Sequence, residues 1–249
     1  MSSFPSPLRP VLLVGLIGAL AYHGFTIGAR AAEGPTVGLV TQVANQAQVG
    51  TETAAVGTLV HMNDKLLTGA KGRLQVTFRD KTELTLGENA SVVVDHYVFN
   101  PDAGLGEATL NVTKGAIRFA TGALKDMPKK NITVSTPVAA LAVRGTDFWS
   151  GFIDGAYGVV LLDESKLSVK NEIGAVMLTS AGMGTDIPAP LKDTQAPGRP
   201  YKWPPDKIAR ALAQTNIGLA LSPGIITIPL VPLIPLIPGI IPPPPPRSP

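Results

Sequence analysis

The sequence predicts an all-β protein: an antiparallel β-sandwich or roll of short strands, with one short C-terminal helix and a proline-rich tail. Three observations carry this. Short segments rich in Val, Thr, Leu and Ile recur from Val37 to Thr185, broken by Gly, Asp and Asn. Several alternate polar and apolar residues, the period of a strand with one wet and one buried face. No helical pattern intervenes, which favours a closed or two-layered antiparallel structure over a parallel sheet. Aromatics make up only 5% of the chain, so the core rests on Val, Leu, Ile and Ala.

The elements follow in order. Arg73 to Phe78 alternates, Asp80-Lys81 turns the chain, and Thr82 to Leu86 alternates again, which reads as a hairpin. A strand over Ser91 to Val98 meets one over Glu107 to Thr113 across a loop holding Asn100, Pro101, Asp102, Gly104 and Gly106. Lys114-Gly115 turns into Ala116 to Ala120. The adjacent basic pair Lys129-Lys130 reads as a solvated loop ahead of a strand at Ile132 to Val134. Phe148 to Ile153 and Tyr157 to Leu162 form a hairpin about Asp154-Gly155, and Leu167 to Val169 pairs with Ala175 to Thr179 about Asn171 to Gly174. Pro204-Pro205 opens a helix with Asp206 in its first turn, which ends near Gly218. Ile208 and Leu212 share its narrow apolar face.

The two ends differ in composition. Residues 1–31 have the parts of a signal peptide: Arg9, an apolar run from Val11 to Ala21, and Ala29-Arg30-Ala31 before a cut at Ala32. The competing reading keeps this segment as a membrane anchor, although Tyr22, His23 and Gly24 interrupt it. The resulting division is a leader over 1–31, a β-domain over 32–188, a linker and short helix over 189–218, and a tail over 219–249. In the tail Pro229, Pro232, Pro235 and Pro238 recur every third residue, the polyproline II period. Two readings stand open: a disordered, sticky linker, or, given its apolar content, a ligand for an aromatic groove or a membrane-surface contact. The chain has no Cys, hence neither a lipid-anchoring thiol nor a disulfide framework.

Charge and motifs bear on chemistry. Lys and Arg number 21 against 18 Asp and Glu, and loss of Arg9 and Arg30 with the leader leaves 19 against 18. A near-neutral domain gives no electrostatic case for nucleic acid. His61 has Asp64 three residues on but no further metal-ligand residues in sequence around it, and Asp95-His96 reads as strand neighbours on opposite faces. Asp163-Glu164 reads as a solvated turn. Neither a nucleophile elbow nor a phosphate-binding Gly loop occurs. We therefore expect no catalytic, cofactor-binding or metal residues, no cofactor, and no enzymatic activity.

The segment Thr136 to Phe148 carries identity. Thr136-Pro137 holds the chain extended. Gly145 permits a bulge or a backbone conformation closed to other residues. Arg144 offers donors for loop carbonyls or a carboxylate. This pattern of Thr136, Pro137, Val143, Arg144, Gly145, Thr146 and Phe148 resembles the FecR domain family. Gly38 to Val40 with Val43 resembles its opening strand. Asn63 to Gly69 resembles its Gly-Asp-x-Leu-x-Thr-Gly turn, with Asn63 in the usual Gly place. Phe78 to Leu84 resembles its Asp-Gly hairpin with Lys81 in the Gly place, which suggests another turn type. Lys114 to Ile117 resembles its Gly-x-Leu/Ile step. The resemblance spans about residues 36–186. For the motif it leaves two roles open, wiring of the fold and contact with a ligand at Arg144.

The family resemblance implies transmembrane signalling: a cytoplasmic arm controls a sigma factor, one helix crosses the membrane, and the periplasmic domain senses a receptor. About ten residues precede the apolar run here, so direct sigma-factor control is not expected unless a separate partner supplies it. The first reading is an exported, periplasmic or secreted, FecR-like module that binds an unidentified protein or envelope component. The alternative is an inner-membrane-anchored periplasmic signalling regulator of the FecR type.

Overall fold

Alternating side chains need a layer to bury against, and the chain supplies two. The computed structural model describes residues 34–188 and 195–218; residues 1–33, which include the predicted signal peptide, residues 189–194 and residues 219–249 lie outside them. In chain order the strands are β1 (Thr36–Ala44), β2 (Ala47–Val49), β3 (Glu52–Thr53), β4 (Leu59–His61), β5 (Lys65–Thr68) and β6 (Arg73–Phe78). Next come β7 (Glu83–Leu86), β8 (Ser91–Asn100), β9 (Leu105–Lys114), β10 (Ile117–Ala120), β11 (Lys129–Ser135) and β12 (Ala140–Val143). The last are β13 (Asp147–Ile153), β14 (Ala156–Leu161), β15 (Leu167–Lys170), β16 (Ala175–Leu178), β17 (Met183–Pro188) and β18 (Tyr201–Lys202).

Among the described residues these strands form two nine-stranded sheets. The first runs β18-β17-β14-β13-β10-β7-β6-β1-β4, the second β16-β15-β12-β11-β9-β8-β5-β2-β3. The chain passes repeatedly from one sheet to the other. Their inner faces share one core: Val40, Leu74, Val76, Leu84, Ile117, Phe119 and Phe148 from the first meet Leu66, Val92, Leu110, Val134, Leu141 and Val169 from the second. The predicted all-β sandwich with one short C-terminal helix is what the structure shows. One strand pair departs from antiparallel order, since β11 lies parallel to β9.

That pair corrects one expectation. Lys129 and Lys130 belong to β11, opposite Leu105 and Gly106, and are not loop residues. Both side chains are exposed at the strand's start, so the ladder leaves them solvated. A second correction is at Lys81. It takes φ +69°, and the hairpin closes through Phe78 N–H to Thr82 O (2.9 Å) and Lys81 N–H to Phe78 O (2.9 Å). The left-handed position that glycine usually fills is thus kept, with lysine bearing its cost. Asn63 also sits there, at φ +71°, as Asn tolerates.

The helix α1 (Pro205–Thr215) starts at Pro205 as expected, but its inward face differs from the predicted one. Lys207, Ala211 and Thr215 are buried, whereas Ile208 and Leu212 are half-buried. The reason lies beneath it. The outer face of the first sheet carries Trp149, Ile153 and Val160, which form a second core with Ala116, Trp203 and Ala211. Trp203 is 1% exposed and lies over Gly158 and Gly184, whose missing side chains make its seat. Among the described residues no helix is long and apolar enough to cross a membrane.

Candidate functional site

The segment Thr136 to Phe148 carries the chain from the second sheet to the first. Its first half is the β11–β12 hairpin, in which Ser135 faces Ala140. Thr136 N–H donates to Ala139 O at 2.9 Å, and the Thr136 hydroxyl donates to the same oxygen at 2.8 Å while accepting from Ala139 N–H at 3.1 Å. A hydroxyl at this position thus closes the four-residue turn. Thr136 also hydrogen-bonds Tyr157 of the first sheet, whose hydroxyl accepts from Ser150 Oγ at 3.0 Å. Burial pushes the Tyr157 phenol up, and the bonds to Ser150 and Thr136 act the other way. Thr136-Pro137 therefore opens a tight turn, where an extended run was expected. Pro137 is exposed at its tip.

The second half makes the crossing. Val143 ends β12 facing inward at full burial. Gly145 has φ +88°, and a Cβ there would stand 2.6 Å from Lys125 Cβ, so both conformation and space demand glycine. Thr146 follows, exchanging bonds with Thr121: Thr146 N–H to Thr121 Oγ1 at 3.1 Å, and Thr121 N–H and hydroxyl to Thr146 O at 3.0 Å each. Phe148 then enters the core beside Phe119, ring centroids 5.8 Å apart.

Arg144 does not tie carbonyls or a carboxylate within the described residues. It follows Leu141 and Val143 on the outward phase of β12 and is exposed. The fork-shaped carboxylate pair expected of it is made by Arg118, whose Nε and Nη2 reach the two Asp147 oxygens at 3.0 and 2.6 Å. That pair raises the Arg118 pKa, chiefly through the hydrogen bond to Asp147. Asp163 is a further correction to the solvated-turn reading. Its carboxylate accepts Asp147 N–H at 3.1 Å and the Ser165 hydroxyl, and so anchors the 162–166 turn to β13.

The other titratable residues singled out from sequence stay apart. His61 Nδ1 lies 3.5 Å from Asp64, whose carboxylate also accepts His61 N–H at 2.7 Å. His96 Nε2 pairs with Glu107 at 3.0 Å, and Asp95 occupies the irregular step in register between Val94 and His96.

Two clusters escaped the sequence reading. Asp80 is 1% exposed, and its carboxylate accepts four bonds: from Thr82 N–H (3.1 Å), the Thr82 hydroxyl (2.6 Å), the Tyr97 hydroxyl (2.8 Å) and Leu124 N–H (3.0 Å). Burial, followed by the Asp80 charge, pushes the Tyr97 phenol up. The other cluster lies under the C-terminal segment. Lys207 Nζ reaches both Asp186 oxygens at 3.0 and 2.9 Å and the Tyr201 hydroxyl at 3.1 Å, and stands 4.1 Å from the Trp203 ring centroid. Neither is an open site, and both hold elements together.

Residues 64–168 match the family model described as FecR protein. The match runs from the residue before β5 into β15, a narrower stretch than the motifs outline, and contains Thr136 to Phe148 whole. Two solved structures of a candidate anti-sigma factor from Parabacteroides distasonis align with the chain at 15% identity and a TM-score of 0.45. Each alignment covers 59% of this chain and 64% or 63% of that protein, so the chain spans less than two thirds of its length. No curated protein matches the sequence.

Proposed function

We propose, from the FecR match over residues 64–168, that this chain is the periplasmic part of a FecR-type signalling regulator and acts by protein contact, not catalysis. The match is the observation that carries the reading. The motif adds support. Thr136, Val143, Gly145, Thr146 and Phe148 join the two sheets, while Pro137 and Arg144 face outward. An exposed guanidinium without an internal partner among the described residues suits a carboxylate on another protein.

In this reading residues 1–31 carry the domain across the inner membrane and hold it there. N-terminal sequencing of the mature protein tests the anchor: a start at Ala32 or Glu33 would release the domain and return the reading to a free-standing interaction module. Signalling is tested by transcript profiling of a deletion strain. Genes under one alternative sigma factor should change and be restored by the wild-type chain. Arg144→Glu should restore them poorly while its stability stays within about 0.5 kcal/mol of wild type. A transcript profile that deletion leaves unaltered would sink the regulator reading.

A further inference from the structure

Several cations on and over the first sheet have carboxylate partners. Arg118 holds Asp147, Lys207 holds Asp186, and Arg210 holds Asp154 and Asp206. One end of the second sheet is different. Lys125, Lys129, Lys130, Arg144 and Lys166 gather there, and all are exposed. β12 pairs with β15 through Val143 and Leu167, so Arg144 and Lys166 are the next residues of the two strands, with backbones about 5 Å apart. β11 joins on the other side. Ile132 faces Val143, which sets Asn131 opposite Arg144, with Lys130 and Lys129 just beyond. Lys125 belongs to the 3-10 turn Ala123–Asp126, lies against Gly145, and accepts the Lys130 ammonium on its carbonyl at 2.5 Å.

Among the described residues none of these cations meets a carboxylate. Asp126 and Glu164, their acidic neighbours in sequence, are exposed, and Asp163 is turned towards Asp147 N–H and the Ser165 hydroxyl. The excess of positive charge is local, because the whole chain has 21 Lys and Arg against 18 Asp and Glu. Like charges at facing positions of neighbouring strands oppose sheet formation. Arg144 and Lys166 bear that repulsion with no internal carboxylate to relieve it.

The surroundings select the kind of anion. The outward residues beside the cations are Asn131, Thr133, Ala142 and Ser168, the last three facing one another across β11, β12 and β15. None carries a large apolar group that would enter a bilayer. They are short, and they leave a flat strip on which an extended chain can lie with its peptide groups near Asn131 and Thr133. The planar fork of Arg144 matches a carboxylate at two points. We infer that this end of the second sheet binds an acidic, extended segment of a partner protein. Arg144 and Lys166 hold its carboxylates, and Lys125, Lys129 and Lys130 supply the surrounding field. The inference rests on the reading of the domain as a contact module and adds the chemistry of what it contacts.

A fluorescein-labelled peptide of alternating Glu and Ser, titrated with the full chain and followed by anisotropy, tests it. Wild type should bind this peptide and not its Gln-Ser counterpart, and should release it as salt rises from about 0.05 M to about 0.5 M. Arg144→Glu with Lys166→Glu should weaken binding about tenfold or more with an unchanged urea midpoint. Lys65→Glu with Lys114→Glu makes the same change in net charge at the other end of β9, and should weaken it less than about twofold. Equal losses in the two variants would reduce the effect to overall charge and overturn the inference, as would absence of binding by wild type. Charge-dependent binding to vesicles with about one-third phosphatidylglycerol, lost in the Arg144 and Lys166 variant while the peptide stays unbound, would assign the patch to a membrane instead. A transcript profile unaltered by deletion would sink the regulator reading and leave this binding result standing.

Discussion

At the scale of residues, buried polar groups decide more than exposed ones. Asp80 collects only donors, two from Thr82 and one each from Tyr97 and Leu124, so every lone pair in use requires a carboxylate. Asp80→Asn replaces one acceptor with an amide donor facing other donors. We expect a loss of about 3 kcal/mol, read as a lower urea midpoint with an unchanged slope. Lys81 offers the opposite case. At φ +69° it bears the left-handed cost, and Lys81→Gly should stabilise by up to about 1 kcal/mol, the strain relief being partly offset by glycine's chain entropy. A Tm for Lys81→Gly below that of wild type would contradict this. The hairpin was legible from its alternation, but the lysine in the family's Gly place suggested another turn type, and the tolerance of lysine at a left-handed position was not legible. That depended on the two backbone bonds at Phe78, which hold the turn whatever side chain it carries.

At the scale of elements, α1 and the strand before it act as a strap. Burial alone would lower the Lys207 pKa, but the hydrogen bonds to Asp186 and Tyr201 outweigh it and raise the value above the ordinary lysine range. The Tyr201 phenol is raised as well, first by burial and then by Asp186. Both groups bind their protons more tightly folded than unfolded. Their contribution is therefore complete below the unfolded pKa values and is lost as pH rises through the folded ones, in the strongly alkaline range. Tryptophan emission should shift to the red in the alkaline range above about pH 10, before the sheets unfold, and Lys207→Met should remove that early step. A single transition in both proteins would contradict this account. The helix itself was legible from Pro204-Pro205 and Asp206. Its buried face was not, because a face chosen by apolar side chains alone omits a lysine whose stem packs while its head finds a carboxylate.

For the whole molecule, the outer face of the first sheet is where stability and solubility meet. Trp203→Ala would uncover Trp149, Ile153 and Val160, and should cost about 3 kcal/mol and raise binding of an apolar dye. Dye binding equal to wild type would mean that α1 alone covers the face. The need for this cover was written in the strands. Phe148-Trp149 and Val159-Val160-Leu161 are consecutive apolar residues, which a strand with one wet face does not carry. By itself the sequence determined the all-β class, most strands and turns, the helix and the motif from Thr136 to Phe148, because period-two alternation and turn chemistry are local properties. Only the tertiary structure decided that β11 runs parallel to β9, that Arg118 and not Arg144 holds a carboxylate, and that residues 201–215 cap the first sheet. Those outcomes depend on which distant segments lie side by side, and the packing of the two sheets sets that.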